Sequence, residues 1–276
     1  MPQTHDFELV KSDGESERFS LEKLRLSLER TGASEELINE VLQSVLNADL
    51  SNLTSGKIYS LAFRKLRSKA PASAGRYKLK RAIFELGPSG YPFERFIGEL
   101  FAHQGYQTEV GVTLQGRCIQ HEVDVLAKRG STLRLMECKF HRDPTRKSNV
   151  QTPLYIHSRF EDLKAAWPDP SAQVESWLIT NTRFSKDAWD YGACVGMKLV
   201  DWSLPRGGAL KDRIDGSGLH PITCLSSLNR MDKKRLLDEG IVMCQDLTST
   251  HLAEARVPSA KHKRVLAECA QIVAVR

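Results

Sequence analysis

Residues 121–140, HEVDVLAKRGSTLRLMECKF, predict two β-strands joined by a tight turn, and this hairpin decides the fold. Side chains alternate between the two faces of a strand, so Glu122 and Asp124 share one face of the first strand, and Glu137 and Lys139 share one face of the second. The second strand is otherwise largely apolar, and a charge buried there needs a partner or a metal ion. The hairpin therefore indicates a site built from carboxylates and a lysine.

Three of these residues have the spacing Asp-x12-Glu-x-Lys, namely Asp124, Glu137 and Lys139. The hard cation Mg²⁺ prefers oxygen ligands, so Asp124 and Glu137 are candidate metal ligands, with Mn²⁺ as an alternative ion. The spacing resembles that of the PD-(D/E)xK nuclease core, and this resemblance implies that Lys139 orients or activates an attacking water molecule and stabilises charge on a phosphate group. The same spacing also arises by chance, because a Glu-x-Lys pair is common on a solvated strand.

The sequence around this hairpin predicts strands that alternate with helices. Apolar residues recur at helical spacing over residues 91–104, Gly105 provides a C-terminal stop, and an extended run follows at residues 107–112. After the hairpin we predict a helix over about residues 153–166, a strand over 176–185, a helix over 186–194 and a strand over 197–202. This alternation requires crossover connections and predicts an α/β core in which a mixed sheet is flanked by helices.

From Gly90 to Trp202 the chain resembles the Mrr-like restriction endonuclease domain of the PD-(D/E)xK superfamily. The resemblance rests on the motifs YPFERFIGELFAHQGYQ, HEVDVLA, MECKF, ITNTRFS and KLVDW. It implies a restriction-endonuclease-like fold and a metal-dependent deoxyribonuclease that hydrolyses phosphodiester bonds. It also implies DNA as the substrate and Mg²⁺, or Mn²⁺, as the cofactor.

The same resemblance assigns the catalytic residues. It implies Asp124, Glu137 and Lys139 as the catalytic core, with Asp124 and Glu137 as the metal ligands. Glu94 in the motif PFERF occupies the place of a further catalytic glutamate on the first helix. Glu122 departs from the pattern, because many members have a small or polar residue there. It is left open as either a surface carboxylate or an auxiliary metal ligand.

Residues 1–88 predict a mainly helical module that begins with a β-hairpin. Short strands at Phe7–Lys11 and Glu17–Phe19 flank an Asp13-Gly14 turn, and Ser20 is a candidate N-cap for the first helix. Further helices are predicted over residues 34–46, over residues 54–68, and from Arg76 to the residues before Gly87.

This order of elements, with the motifs LVKSDGESERFSLEKLRLSL and AGRYKLKRAIFELGP, resembles the ATP-cone domain of ribonucleotide reductases and their repressors. The resemblance implies a regulatory pocket in which Lys11 and Lys23 neutralise the phosphates of ATP or dATP. Ser12 stands where the family usually has a basic residue, so the choice between the two nucleotides stays open. The alternative is a solvated basic face on a structural helical domain.

Residues 209–276 predict a small helical module of three or four short helices. Gly207-Gly208 and Asp215–Gly218 indicate a linker at its start. The stretch RLLDEGIVMCQDL resembles the second half of a helix-hairpin-helix element, which holds DNA phosphates through backbone amides. Asn229–Asp232 stands where that element has its glycines, so DNA contact and a packing or dimerisation role both stay open.

Composition limits the class of protein. A net charge of +6, from 40 Lys and Arg against 34 Asp and Glu, fits an anionic partner without requiring one. Arg142, Arg146 and Lys147 form either a contact with DNA phosphates or a solvated loop. Six cysteines without a Cys-x-x-Cys pair predict reduced, mostly structural thiols. No signal peptide or long apolar segment is apparent, so we expect a cytoplasmic protein without a membrane partner.

These observations predict three domains: a nucleotide-binding regulatory domain (residues 1–88), a nuclease domain (89–208) and a helical module (209–276). The leading hypothesis is a Mg²⁺-dependent DNA endonuclease regulated by ATP or dATP, with a defence role implied by resemblance alone. The alternatives are a repair or junction-resolving nuclease, and a nucleotide-responsive DNA-binding regulator with an inactive nuclease fold. Cutting two strands needs two active sites, so we expect a homo-oligomer.

Overall fold

The structure, a computed structural model, describes residues 8–10, 16–48 and 54–274 of the chain. The chain divides into two compact units, one made of Met1–Ala82 with His220–Arg276 and the other of Ile83–Leu219. Both ends of the chain therefore contribute to the first unit, and the central segment is the second. The three functional domains inferred from the sequence stay a prediction, because these units describe packing and not function.

The first unit begins with a β-hairpin followed by helices. Strands β1 (Glu8–Val10) and β2 (Ser16–Arg18) pair antiparallel, which confirms the predicted hairpin. The next helices are α1 (Leu21–Glu29), α2 (Glu35–Leu46) and α3 (Ser55–Lys69). Each has a hydroxyl N-cap that accepts a hydrogen bond from the backbone N–H three residues further on: Ser20, Ser34 and Thr54.

Two short helices follow α3 in place of the single helix predicted from Arg76. The first, α4 (Pro71–Tyr77), begins at a proline, whose fixed φ and missing N–H suit the first helical position. The second, α5 (Leu79–Phe84), follows after Lys78. The predicted start at Arg76 was therefore wrong, because Pro71 already begins a helix.

The second unit, all of whose residues are described, contains a five-stranded mixed sheet. Its strands are β3 (Gln107–Gln115), β4 (Gln120–Arg129), β5 (Thr132–Lys139), β7 (Gln173–Thr180) and β9 (Lys198–Val200), in the order β3-β4-β5-β7-β9. Strands β3, β4 and β5 pair antiparallel, whereas β5, β7 and β9 pair parallel. Strands β6 (Lys147–Ser148) and β8 (Arg183–Phe184) form a separate parallel pair.

Helices α6 (Tyr91–Ala102), α7 (Gln151–Ala166) and α8 (Lys186–Cys194) pack against this sheet or against one another. Helix α6 contributes Phe93, Phe96 and Phe101, which are fully buried. Helix α7 contacts β7 and β3, and it also contacts α8. The predicted α/β core, a mixed sheet flanked by helices, is thus confirmed.

The segment before residue 219 departs from the prediction. Helix α9 (Leu210–Ser217) occupies most of the stretch that was predicted to be a linker. The carboxylate of Asp212 accepts a 3.3 Å hydrogen bond from the backbone N–H of Ala209 at the start of α9. Gly218 ends the helix with φ of 68°, a left-handed conformation that glycine adopts without strain. The glycines there therefore terminate a helix, and the predicted linker was wrong at this position.

The C-terminal part of the first unit is helical, as predicted. It contains α10 (Arg230–Asp238), α11 (Ser249–Glu254), α12 (Ser259–Val273) and two short 3₁₀ helices, Ile222–Cys224 and Cys244–Asp246. The stretch that replaces the expected glycines is a helix cap, since Asn229 accepts a hydrogen bond from the N–H of Asp232, which in turn accepts one from the N–H of Asn229. Within this unit Arg76 donates to the carbonyls of Gln271 and Ile272.

Among the described residues, no helix has the length and apolar character needed to cross a membrane. The six cysteines all lie in the described part of the chain, and each is a thiol rather than half of a disulfide. Four of them are buried: Cys138, Cys224, Cys244 and Cys269. The burial of these four agrees with the prediction of mostly structural cysteines, and their reduced state stays a prediction.

Candidate active site

The antiparallel pairing of β4 and β5 ends at the predicted site. The last paired residues in this direction are Val125 and Met136. One residue beyond Val125, the carboxylate of Asp124 accepts a 2.7 Å hydrogen bond from the backbone N–H of Cys138, which lies two residues beyond Met136. The side chain of Asp124, and not a backbone carbonyl, therefore accepts the hydrogen bond of the Cys138 N–H, next to Glu137 on β5.

Glu137 is paired with two cations. Its side chain is only 10% exposed, and its Oε1 accepts a hydrogen bond from Lys139 Nζ. Its Oε2 accepts a 2.9 Å hydrogen bond from the guanidinium of Arg159. Burying an unpaired carboxylate costs on the order of several kcal/mol of desolvation free energy. The two cations offset that cost.

Arg159 is a residue of the site that sequence reasoning missed. It lies on α7, and its guanidinium also donates to the backbone carbonyl of Glu122 in β4. One side chain therefore connects α7 to both strands of the central hairpin, as the forked guanidinium allows. The only sequence signal was its position in the segment YIHSRF, which gives no indication of the turn of the helix that faces the sheet.

Glu94 lies in the first turn of α6 and faces the carboxylates of the hairpin. Burial raises the pKa of Glu94 to about 7, and the charges of Asp124, Glu122 and Glu137 add to the increase, which Lys139 opposes. Burial, with the charge of Glu137, also raises the pKa of Asp124 to about 6. The structure thus brings the four predicted catalytic residues, Glu94, Asp124, Glu137 and Lys139, into one cluster of like and opposite charges.

The chain that leaves β5 is held in place beside Lys139. Thr180 Oγ1 donates a 2.7 Å hydrogen bond to the carbonyl of Lys139. The side chain of Asn181 accepts a 2.8 Å hydrogen bond from the N–H of His141 and donates one of the same length to its carbonyl. Thr180 and Asn181 are fully buried. The motif ITNTRFS therefore fixes the backbone that carries the lysine.

Helix α6 is fixed against the same stretch of chain. The rings of Phe93, beside Glu94, and Phe140, beside Lys139, have centroids 5.7 Å apart. Because Phe93 is fully buried, this contact sets the position of the helix that presents Glu94.

The donor chemistry of the cluster fits a hard divalent cation. Asp124 and Glu137 contribute carboxylate oxygens from neighbouring strands. The charge of Glu137 raises the pKa of Asp124, and a bound cation would relieve this repulsion. Mg²⁺ is commonly bound through one or two carboxylates, with water completing its coordination. Among the described residues, no three His, Cys, Asp or Glu side chains are arranged as a metal-binding group. An ion at this site would therefore rest on these two carboxylates and on water.

The remaining polar residues near the site have other placements. The side chain of Glu122 is exposed. His121 Nε2 lies 2.9 Å from Asp162 Oδ2, and His141 Nε2 lies 2.8 Å from Ser148 Oγ. Both histidines are thus engaged in local hydrogen bonds. The side chains of the basic loop are exposed: Arg142, Arg146 and Lys147.

The predicted nucleotide pocket is only partly described. Lys11 lies outside the described residues. Lys23 lies at an exposed position on α1, and its backbone N–H donates to the N-cap Ser20. The ATP-cone resemblance and the roles of these two lysines stay predictions.

Comparison with known families assigns two segments of the chain. Residues 87–203 match the family model described as restriction endonuclease, and residues 220–273 match the one described as AF1548-like, C-terminal. An uncharacterized protein of Archaeoglobus fulgidus is 33% identical over 184 residues, which are 64% of this chain and 99% of that protein.

Two solved structures are also similar. The crystal structure of AF1548, a protein of unknown function, is 31% identical with a TM-score of 0.56 and aligns over 67% of this chain and 98% of its own. The structure of Can2 from Sulfobacillus thermosulfidooxidans in complex with cyclic tetra-adenylate is 12% identical with a TM-score of 0.35, over 77% of this chain and 68% of its own. That second likeness is too low to carry an argument. Because the chain spans nearly all of AF1548 and of the A. fulgidus protein at more than 30% identity, it belongs to the AF1548 family, and residues 87–203 are its restriction-endonuclease domain.

Proposed function

We propose that the protein is a metal-dependent DNA endonuclease that acts through Glu94, Asp124, Glu137 and Lys139. The observation that carries the proposal is the convergence of three acidic side chains with Lys139 where the pairing of β4 and β5 ends. The restriction-endonuclease domain supports DNA as the substrate. Burial and neighbouring carboxylates raise the pKa of Glu94 and of Asp124, and shifted acids of this kind are typical of functional sites.

Asp124 and Glu137 are the residues that would hold Mg²⁺ or Mn²⁺. When bound, such an ion neutralises charge on the phosphate and lowers the pKa of a coordinated water molecule. The hydrogen bond from Cys138 fixes the carboxylate of Asp124, and Arg159 fixes that of Glu137. Both ligands are thereby oriented before a cation binds, as ligand-orienting contacts do in metal sites.

Hydrolysis forms a bond between a water oxygen and phosphorus and breaks one ester P–O bond. The water loses a proton, and the leaving oxygen takes one up. Lys139 is partly exposed beside Glu137, so its ammonium can donate to a phosphate oxygen or hold the attacking water. The charges of the same cluster raise the pKa of Glu94, which supports assigning to it the exchange of a proton with that water.

The proposal includes regulation by ATP or dATP through the N-terminal helices, with Lys11 and Lys23 as phosphate contacts. The order of β-hairpin, α1, α2 and α3 supports it. Such an effector acts by favouring one conformation or assembly through its differential affinity. We also include a homo-oligomer, a cytoplasmic location and a role in restriction of foreign DNA. The test is binding of labelled ATP to the wild type and to the variants Lys11→Ala and Lys23→Ala. Loss of binding in both variants, with an unchanged thermal unfolding temperature, would support the pocket.

The main alternative is a nucleotide-responsive DNA-binding regulator with an inactive nuclease fold. The presence of Asp124, Glu137 and Lys139 with their supporting contacts counts against it. A repair or junction-resolving nuclease would use the same site, and branched substrates separate that role from cleavage of linear duplexes.

The test is cleavage of plasmid, linear duplex and single-stranded DNA by the purified chain with Mg²⁺, with Mn²⁺ and with a chelator, each with and without ATP or dATP. We expect metal-dependent cutting that is lost in Asp124→Asn and falls at least about 100-fold in Lys139→Ala. Metal-independent cutting, or cutting that survives both substitutions, would overturn the proposal. Strong DNA binding with no cutting of any substrate would favour the regulator.

A further inference from the structure

Two grooves adjoin the candidate active site on the surface of the second unit. The hairpin groove lies between the β3–β4 turn and α7, is open to solvent with a volume of about 820 Å³, and is lined among others by Arg117, Ile119, Glu122, Tyr155 and Arg159. The basic groove has a cavity of about 360 Å³, and its lining includes Lys139, His141, Arg146, Lys147 and Tyr155. Tyr155 lines both grooves. The two therefore adjoin at this tyrosine, with Glu122 and Arg159 on one side of it and Lys139 on the other, and together they are called the track.

The turn that forms one wall of the hairpin groove is fixed to α7. The carboxylate of Asp162 on α7 accepts hydrogen bonds of 2.9 Å from the N–H of Cys118 and 3.3 Å from the N–H of Ile119. His121 lies 2.9 Å from the same carboxylate, and the N–H of Arg117 donates to the Asp162 carbonyl at 3.0 Å. The groove is thus a preformed feature of the surface and not a gap under a loose loop.

Two exposed apolar side chains lie on this rigid frame. Tyr155 on α7 is 64% exposed and Ile119 on the turn is 61% exposed, although the helix and the turn are both held in place. The guanidinium of Arg159 lies 5.6 Å from the centre of the Tyr155 ring, so a cation that contacts Glu137 also packs on this aromatic side chain. An exposed aromatic ring among cations, immediately beside carboxylates that would bind a metal ion, indicates a surface for nucleic-acid bases.

The chemistry of the track favours unpaired strands over intact duplex. In a duplex the faces of the bases are covered by their neighbours, whereas an exposed aromatic ring stacks on a base that is free. Glu122 and Glu161 also line the hairpin groove and repel phosphates. These two carboxylates therefore oppose the attraction of the DNA backbone to Arg117 and Arg159. Stacking on Tyr155 has to contribute a large part of the affinity for DNA.

We infer that this track binds an unpaired segment of DNA, with Tyr155 stacked on a base next to the scissile phosphate and Ile119 in contact with the neighbouring base. This inference rests on the proposed nuclease function and names its substrate class: single strands, flaps or frayed ends. Arg117 and Arg159 on one side of Tyr155, and Lys139, Arg146 and Lys147 on the other, then contact successive phosphates.

The test is binding of a labelled single strand of about 12 nucleotides and of the matching blunt duplex, a length within the range of single-strand sites. Fluorescence anisotropy is measured with Asp124→Asn protein, which keeps Lys139 in the track and leaves the DNA uncut. To this background we add Tyr155→Ala, Tyr155→Phe, or Leu154→Ala as a matched control. Leu154 is 43% exposed on the same helix and lines neither groove.

We expect Tyr155→Ala to weaken single-strand binding about 10-fold, within the range for loss of one stacked base, and to change duplex binding less than about 2-fold. Tyr155→Phe keeps a ring to stack and should bind like the parent, as should Leu154→Ala. A 2-aminopurine base in the strand should be quenched on binding, and Tyr155→Ala should abolish that quenching. Equal losses on both DNAs, or none on the single strand, would overturn the inference.

Cleavage assays keep this inference separate from the proposed function. If the wild-type protein cuts no DNA but the Tyr155→Ala selectivity holds, the track stands and the nuclease proposal fails. If the protein cuts DNA but shows no dependence of single-strand binding on Tyr155, the nuclease stands and the track is wrong.

Discussion

The carboxylate of Asp124, which lies one residue beyond the last backbone pair between β4 and β5, accepts a 2.7 Å hydrogen bond from the backbone N–H of Cys138. Burial and the charge of Glu137 raise the pKa of this carboxyl group to about 6. One contact thus fixes Asp124 while its surroundings disfavour its charge. This combination is expected where a fold holds acids ready for a cation at some expense of stability.

The first prediction concerns the stability of Asp124→Asn. Asparagine keeps an acceptor for the Cys138 N–H but removes the charge, so the metal-free variant should unfold at a higher temperature than the wild type at about pH 8. We expect a gain on the order of 1–2 kcal/mol, after the raised pKa is discounted for solvent screening. Thermal unfolding in a chelator measures it, and cleavage should be lost.

The pH dependence gives the sign of this effect. A carboxyl group whose pKa is raised by folding carries no penalty below its unfolded pKa near 4, and the full penalty above its folded pKa of about 6. The gain of Asp124→Asn should therefore appear between these values and vanish in acid. Asp190→Asn, which removes an exposed carboxylate paired with Lys186, is the control and should give no gain. A destabilised Asp124→Asn at about pH 8 would contradict the argument.

The second prediction concerns the pH dependence of cleavage. Because the pKa of Asp124 is about 6 and that of Glu94 about 7, both are largely protonated in mild acid, when Asp124 cannot serve as a ligand. We expect kcat/KM to rise through this range and to level off above it, with apparent pKa values that belong to the coupled group. A higher Mg²⁺ concentration should move the midpoint to lower pH, since the cation competes with protons. A cleavage rate that falls from about pH 6 to pH 8 would contradict the requirement that Asp124 and Glu94 be deprotonated.

The hairpin and its acids were predictable because strand alternation is local. The two-residue period of a strand predicted which face of the first strand carries Asp124 and that Glu137 and Lys139 share one face of the second. Helical spacing predicted the helix that contains Glu94. The contacts that orient these groups were not predictable. Arg159 reaches Glu137 across 22 residues of chain, Asn181 reaches His141 across 40, and Asp162 reaches the turn at Cys118 across 44. Such contacts depend on how helices and loops pack on the sheet, for which the sequence contains no repeating signal.

Local signals also misled where one residue type has two uses. The glycines near Gly218 were interpreted as a linker, whereas Gly218 ends α9 in a left-handed conformation. The joining of residues 1–82 with 220–276 in one unit had no sequence signal either, because its contacts, such as Arg76 to Gln271, span most of the chain.

The third prediction concerns Arg159, whose guanidinium orients the carboxylate of Glu137. Arg159→Met should lower the cleavage rate about 10- to 100-fold at saturating DNA, as loss of a ligand-orienting contact commonly does. Arg159→Lys keeps the charge but lacks the fork that reaches both Glu137 and the Glu122 carbonyl, so it should restore the rate only in part. The Mg²⁺ concentration for half-maximal rate should also change. Lys164→Met, an exposed cation on the same helix, is the control and should behave as wild type.

The fourth prediction separates catalysis from binding at Lys139. Its ammonium contacts Glu137 and lies beside the basic groove, so Lys139→Ala removes a charge from the reaction centre while Arg146 and Lys147 remain. We expect the cleavage rate to fall about 100- to 1000-fold, as for loss of one positioned electrostatic contact. Affinity for DNA in Ca²⁺ should weaken less than about 3-fold, because phosphate binding is shared among several cations. Lys128→Ala removes an exposed lysine of β4 and provides the comparison. If both variants lose the same small fraction of rate and affinity, Lys139 contributes only general charge, and its assignment to catalysis is wrong.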